Sequence, residues 1–275
     1  MPDRGDVIYR YDGSFEGLMC CVFESYDKKE MPHSILCEEY QLSLFPIKDI
    51  PTDVKRAKRV MDSIPQRMAK DTFDFIWRAF LSCLPEKEKY ILLFMRMGYR
   101  HGAKVMKMMT HDVVHTLAKA VRHLGNETHL LSGFIRFSDY SGVLAAEITP
   151  KNFVLPILAP HFMNRYPEER MLIHDKTHEK VWMYERGQTQ ICDAEGFVLP
   201  EPGQEELEFR KLWRLFYDTI AIEGRYNPKC RMTHMPKRYW ENMTEFADEG
   251  SRKQPENPKY IRSKELQEIP VKTVR

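Results

Sequence analysis

A chain of 275 residues is long enough to bury a substantial core, as one large domain or two smaller ones. Its 42 Lys and Arg against 40 Asp and Glu leave a formal charge of +2, which excludes a histone-like basic coat; any nucleic-acid surface has to be local. Mean hydropathy is −0.53, and no apolar run approaches the roughly 20 residues that cross a bilayer, so no membrane helix is expected. The opening MPDRGD has no apolar signal core, and the six cysteines include no C-x-x-C pair. A cytoplasmic protein follows, with reduced thiols, no zinc ribbon and no cysteine-bound iron–sulfur cluster.

Val7–Tyr11 is rich in β-formers and reads as a strand. Asp12, Gly13 and Ser14 make a turn that also caps a helix carrying Phe15, Leu18, Met19, Val22, Phe23 and Tyr26 on one face. A strand, a glycine turn and a helix invite a phosphate-site interpretation, but neither G-x-x-x-x-G-K-[ST] nor G-x-G-x-x-G is present. Ser34–Leu36 and Tyr40–Leu44 suit short strands, and Pro46 to Pro51 suits a connector. Thr52 is the expected N-cap of a helix over Asp53–Ser63, whose Lys55, Arg56, Lys58 and Arg59 form either a phosphate contact or a solvated face. Phe73, Ile76, Trp77, Phe80, Leu81 and Leu84 give the cleanest amphipathic stripe, ended by Pro85.

Glu88–Met97 continues helically until Gly98 and Gly102 break the run. Met97, Met106, Met108 and Met109 cluster there, as an adaptable binding face or as core filler. Thr110 caps a further helix with Val113, Leu117, Ala120, Val121 and Leu124 on its apolar side. The period then changes to two. Phe134–Ser138 and Val143–Ile148 read as hairpin strands, Asn152–Tyr166 as a short helix broken at Pro160, and Met171–Asp175, Val181–Glu185 and Thr189–Cys192 as a meander. The fold class is α+β: a helical N-terminal portion with an opening strand (1–85), an antiparallel sheet packed with helices (86–246), and a polar tail (247–275) too poor in apolar residues to order itself.

Two groups carry chemistry. Phe209, Leu212, Trp213, Phe216 and Ile220 form a helical stripe expected to be buried, with Glu205, Glu206 and Glu208 at the helix start and Gly224 as its stop. Beyond it Arg225, Lys229, Arg231, Lys237 and Arg238 are interleaved with Tyr226, Tyr239 and Trp240, with no acid between Gly224 and Trp240. Phosphate charge and base-stacking rings together fit nucleic acid; equally, the aromatics anchor the loop in the core. Glu223, at the wrong end of the helix dipole, needs a cation such as Arg231, Arg238, Arg136 or Arg165. The second group is His161, Arg165, His174, Asp175 and His178. It fits general acid–base catalysis by His161, His174 and Asp175 with Arg165 in support, a divalent metal site without standard spacing, or structural histidines. Asp139 and Glu147 are a further carboxylate pair. No nucleophile signature is present, so the sequence leaves open whether the protein is an enzyme, and it names no cofactor.

W-R-L-F-Y-D-T-I-A-I-E-G-R-Y-N-P, M-P-K-R-Y-W, Y-D-G-S-F-E-G-L, G-F-I-R-F, L-A-P-H-F and Arg170 with His174-Asp175 resemble a bacterial family of unknown function described as DNA metabolism or DNA repair proteins. The resemblance runs over nearly the whole chain to Phe246. Its recurrent positions fall on Arg136, His161, Arg165, Asp175, Trp213, Tyr217, Glu223, Arg225, Asn227, Pro236, Arg238, Tyr239 and Trp240. Such proteins are typically encoded beside a radical SAM protein, and a similar domain is found fused to uracil-DNA-glycosylase-like domains. The resemblance therefore implies DNA as a ligand and a radical SAM protein as a partner. Alternatives are a catalytic domain acting on a nucleobase or phosphodiester, and a pure protein–protein adaptor using the methionine face and the basic tail.

Overall fold

The computed structural model describes residues 7–37, 44–220 and 227–246, and the architecture is α+β. The described residues fall into two compact units, one drawn from 1–128 with 151–154 and the other from 129–150 with 155–275. The expected tail at 247–275 and most of the expected strand Tyr40–Leu44 lie outside the described residues.

In the first unit a central strand β1 (Ile8–Arg10) is flanked on both sides by parallel neighbours, β2 (Ser34–Leu36) and β3 (Ile47–Asp49). Helix α1 (Phe15–Asp27) makes the crossover from β1 to β2. Its start is built as the sequence specifies: Ser14 Oγ accepts from Gly17 N at 2.9 Å, and Asp12 Oδ1 accepts from Ser14 N at 3.0 Å. Phe15 is buried edge-on against Phe73, Trp77 and Phe80, at ring-centre distances of 5.9, 5.0 and 5.3 Å. These partners belong to α3 (Thr72–Leu81), which follows α2 (Val54–Arg67).

The structure departs from several local expectations. The connector between Pro46 and Pro51 contains β3, because β1 needs a second partner: Ile8 N donates to Pro46 O, and Ile50 N to Arg10 O. Asp53, not Thr52, caps α2, through Lys55 N and Arg56 N; the Thr52 hydroxyl donates instead to Asp12 Oδ2 at 2.7 Å. Helix α4 (Lys87–His101) runs straight through Gly98, which stays helical, and stops only at Gly102, where φ is +61°.

The boundary placed near Pro85 does not coincide with the compact units, because Ile91, Leu92, Phe94 and Met95 of α4 share one core with Tyr9 and Leu18. Met97, Met106 and Met108 pack against that core too, so most of the methionine cluster is filler rather than a binding face. Residues 151–154 join this unit because the buried Glu127 on α5 (Asp112–Phe134) accepts from Lys151 N, Asn152 N and Asn152 Nδ2, and Phe153 N donates to Leu81 O.

The second unit holds a five-stranded sheet in sequence order: β4 (Ser138–Asp139), β5 (Leu144–Ile148), β6 (Arg170–Asp175), β7 (Lys180–Glu185) and β8 (Gln188–Asp193). The meander is antiparallel, and its last hairpin turns on Arg186 and Gly187, with φ of +44° and +86°. However, β5 and β6 are parallel, so the sheet is mixed. Helix α6 (Leu155–Arg165) supplies the crossover between them. It is continuous through Pro160, held by its buried Leu155, Leu158, Ala159 and Phe162. Helix α7 (Gln204–Thr219), a short α8 (Pro228–His234) and a 3-10 turn over Lys237–Asn242 complete the unit. The stripe on α7 is not buried: Trp213 is 40% and Phe216 52% exposed. The period of a helix fixes which side chains share a face, but a face is covered only when another element lies over it.

Candidate nucleic-acid interface

Within the second unit, three short segments converge on one cleft of about 560 Å³. Helix α7 contributes Glu206, Phe209, Arg210 and Trp213, spaced i, i+3, i+4, i+7 and therefore on one face. The end of α6 contributes Phe162, Arg165 and Tyr166, again i, i+3, i+4. The last turn of α5 contributes Ser132 and Gly133, the chain leaving it Ile135, Arg136 and Phe137, and Thr244 closes the wall. Aromatic rings and guanidinium groups thus share one concave surface.

The three arginines of the cleft are not equivalent. Arg136 grips Glu245 with two bonds, Nε to Oε2 at 3.1 Å and Nη2 to Oε1 at 2.7 Å, while Nη1 donates to Gly133 O and Ile135 O. The Glu245 side chain is only 1% exposed, and Trp213 Nε1 also donates to it at 3.2 Å. Arg210 donates to Glu206 Oε1 at 2.9 Å and to Ser138 Oγ at 2.6 Å. Burial alone would raise the carboxyl pKa of Glu206, but hydrogen bonds from Ser138, Arg210 and the Asp139 N–H outweigh it and hold the group below its ordinary range. Arg165 differs: it is exposed, donates from Nε to Tyr166 OH at 3.1 Å, and has no carboxylate partner among the described residues. Of these three charges, two are neutralised in place and one is available to a ligand.

The basic aromatic loop is partly self-satisfied. The Arg231 guanidinium lies over Trp240 at 4.8 Å and over Phe246 at 5.2 Å, and Trp240 stacks on Phe246 at 4.6 Å. Trp240 Nε1 donates to Met235 O, and Lys237 Nζ sits 5.7 Å from the same indole. Trp240 is therefore an internal anchor rather than an open stacking platform. Arg238 bonds the hydroxyl of the buried Tyr239 and lies 4.6 Å above its ring. Lys229, Lys237 and Arg238 remain exposed. Glu223, Arg225 and Tyr226 lie outside the described residues; Arg136, one cation expected for Glu223, is held by Glu245.

The histidine group does not converge. His174 is buried between Glu147, 3.4 Å from its Nδ1, and the edge-on ring of Phe197 at 5.0 Å. Asp175 is fully buried and accepts from Thr177 N, His178 N and His178 Nδ1, at 3.0, 3.2 and 2.7 Å, which closes the turn after β6. As consecutive strand residues, His174 and Asp175 project to opposite faces of the sheet. His161 is exposed on α6 and meets the ring of Phe162. No group of three or more His, Cys, Asp or Glu suited to a metal occurs among the described residues. Asp139 Oδ1 caps Gly142 N in its own turn, and Glu147 also faces Lys176.

Arg165 and Arg136 are legible in the sequence as candidates, whereas Glu206, Arg210, Phe137, Tyr166 and Phe209 are not assigned to a site by it. The available signal is the mixed acid–aromatic–arginine face at positions 206, 209, 210 and 213, which differs from a purely apolar core stripe.

Among protein families, a profile described as a domain of unknown function, DUF4130, matches residues 85–245. No curated protein matches. Among solved structures, the pGpG-specific phosphodiesterase PggH from Vibrio cholerae aligns at 10% identity and a TM-score of 0.31, over 64% of this chain and 81% of that one. A likeness at that level carries no argument about activity.

Proposed function

This chain belongs to the DUF4130 family, whose function is unknown, and from the chemistry of its cleft we propose that it binds nucleic acid in DNA metabolism or repair. The observation that carries the proposal is the cleft in which Phe209 and Trp213 are exposed beside Arg165, a guanidinium with no carboxylate partner among the described residues. Aromatic faces that accept a base and cations that accept phosphate are the two requirements of single-strand binding. Lys229, Lys237 and Arg238 add exposed charge in the same unit, suited to the backbone of a strand. No helix among the described residues is long and apolar enough to cross a membrane; a cytoplasmic location is part of the proposal.

The test is binding of the full chain to a labelled single-stranded oligonucleotide by fluorescence anisotropy at low salt, with a duplex of the same sequence alongside. Saturable binding, tighter for the single strand, is expected. No binding of either at low salt overturns the proposal.

The sequence resemblance adds a radical SAM partner. Leu212 and Phe216 on α7 and Ile220 at its C-cap are exposed apolar residues, a feature that favours a protein partner as a second ligand class. Co-purification of a radical SAM protein with the chain, lost in a Phe216→Ser variant, is the corresponding check.

A further inference from the structure

We propose that the cleft between α6 and α7 is a receptor for one unstacked nucleotide, with its base against Phe209 and Trp213 and its single phosphate on Arg165. This assignment rests on the nucleic-acid proposal and narrows it from a surface to a substrate class. The same chemistry is presented by a free nucleoside monophosphate and by one nucleotide displaced from its neighbours in a strand.

Three observations lead to it. The volume, about 560 Å³, falls within the roughly 300–1,000 Å³ of small-molecule sites. It suits one nucleotide held in a concavity, whereas reading a duplex groove calls for a protruding helix or ribbon. The walls are aromatic where the ligand would be planar: Phe209 is 61% exposed, and Trp213, with Arg136 5.6 Å from its ring centre, keeps 40% of its surface open. The charge balance is the most discriminating feature. Glu245 neutralises Arg136 and Glu206 neutralises Arg210, so among the described residues of the cleft Arg165 alone offers its charge. One unneutralised guanidinium offers the paired hydrogen bonds that hold one phosphate group. A pyrophosphate would bring further negative charge toward Glu206 and Glu245, with no additional unneutralised cation among the described lining residues to receive it.

Calorimetric titration of the full chain with dAMP, deoxyadenosine, dADP and inorganic phosphate tests the assignment. The monophosphate is expected to bind at least about tenfold more tightly than the nucleoside, the least a charge-assisted hydrogen bond contributes. The diphosphate should gain nothing further. Arg165→Ala should erase the difference between nucleotide and nucleoside, and Phe209→Ala should weaken both by a similar factor, about fivefold or more. Both positions are exposed, so both variants are expected to fold. Equal affinity for dAMP and deoxyadenosine, or dAMP binding unchanged in both variants, overturns the assignment.

A single strand carrying one internal 2-aminopurine separates the two proposals. If the strand binds but neither variant alters its affinity or its fluorescence, the cleft assignment falls and nucleic-acid binding stands. If dAMP binds as described and no oligonucleotide does, the assignment stands for a free nucleotide and the nucleic-acid proposal falls.

Discussion

Glu206 links the cleft to pH. Its carboxyl is held below the ordinary value of 4.5, because its hydrogen bonds outweigh the cost of burial. Above that value both the folded and unfolded chains carry the charge, and its stabilising contribution is complete. As pH falls, the unfolded chain takes up the proton first, and the contribution is lost as pH passes down through the folded pKa. Glu206→Gln should therefore lower the urea midpoint at pH 5.5, and the gap between wild type and variant should narrow toward pH 3. A gap that stays constant over this range removes Glu206 from the pH dependence. At the residue scale the sequence makes the types of group legible but not their pairing. Arg231 and Trp240 are equally suited on paper to phosphate and base; the fold turns them on each other and on Phe246. Arg136 and Glu245 are 109 positions apart, and nothing local announces that they meet.

At the scale of elements, two helical glycines separate rigid from soft packing. A Cβ on Gly17 would lie 2.2 Å from Asp12 Oδ1 and 2.9 Å from both Thr52 Oγ1 and Tyr11 Cδ2. Asp12 cannot retreat cheaply, since it is held by Ser14 N, Ser14 Oγ and Thr52 Oγ1 at 3.0, 2.6 and 2.7 Å. A Cβ on Gly98 would meet Met68 Sδ at 2.4 Å and Cε at 2.6 Å, the movable end of a flexible side chain. Alanine also gains about 1 kcal/mol of helix propensity over glycine at either site. Gly17→Ala should therefore destabilise by about 2 kcal/mol net, as overpacking against fixed groups does. Gly98→Ala should cost less than half of that. Urea denaturation of both variants decides the order, and a larger loss at Gly98 would refute it. The cap at Ser14 is legible because it is made within three residues; β3 is not, because its three residues are ordered only by pairing with β1. The stripe on α7 is legible as a stripe, yet its exposure is not, since a helix does not encode whether another element covers it.

The molecule as a whole carries almost no net charge, with 42 basic against 40 acidic side chains. Long-range attraction to a polyanion is therefore weak, and binding has to come from a few local cations whose number the salt dependence reveals. Lys229, Lys237 and Arg238 are exposed on the second unit and belong to a run without acids. Each cation withdrawn from the phosphates of a single strand lowers the slope of log K against log salt by about 0.7. A Lys229→Ala, Lys237→Ala, Arg238→Ala triple variant should thus reduce that slope by about 2. The midpoint for dAMP should remain within a factor of about two, because a free nucleotide has no backbone beyond its own phosphate for these cations to hold. This combination divides the work between a strand-holding surface and a nucleotide-holding cleft. A slope that does not change would assign the three cations to ordinary solvation. An unchanged slope in the triple variant, with a reduced slope in Arg165→Ala, would place all the phosphate binding at the cleft.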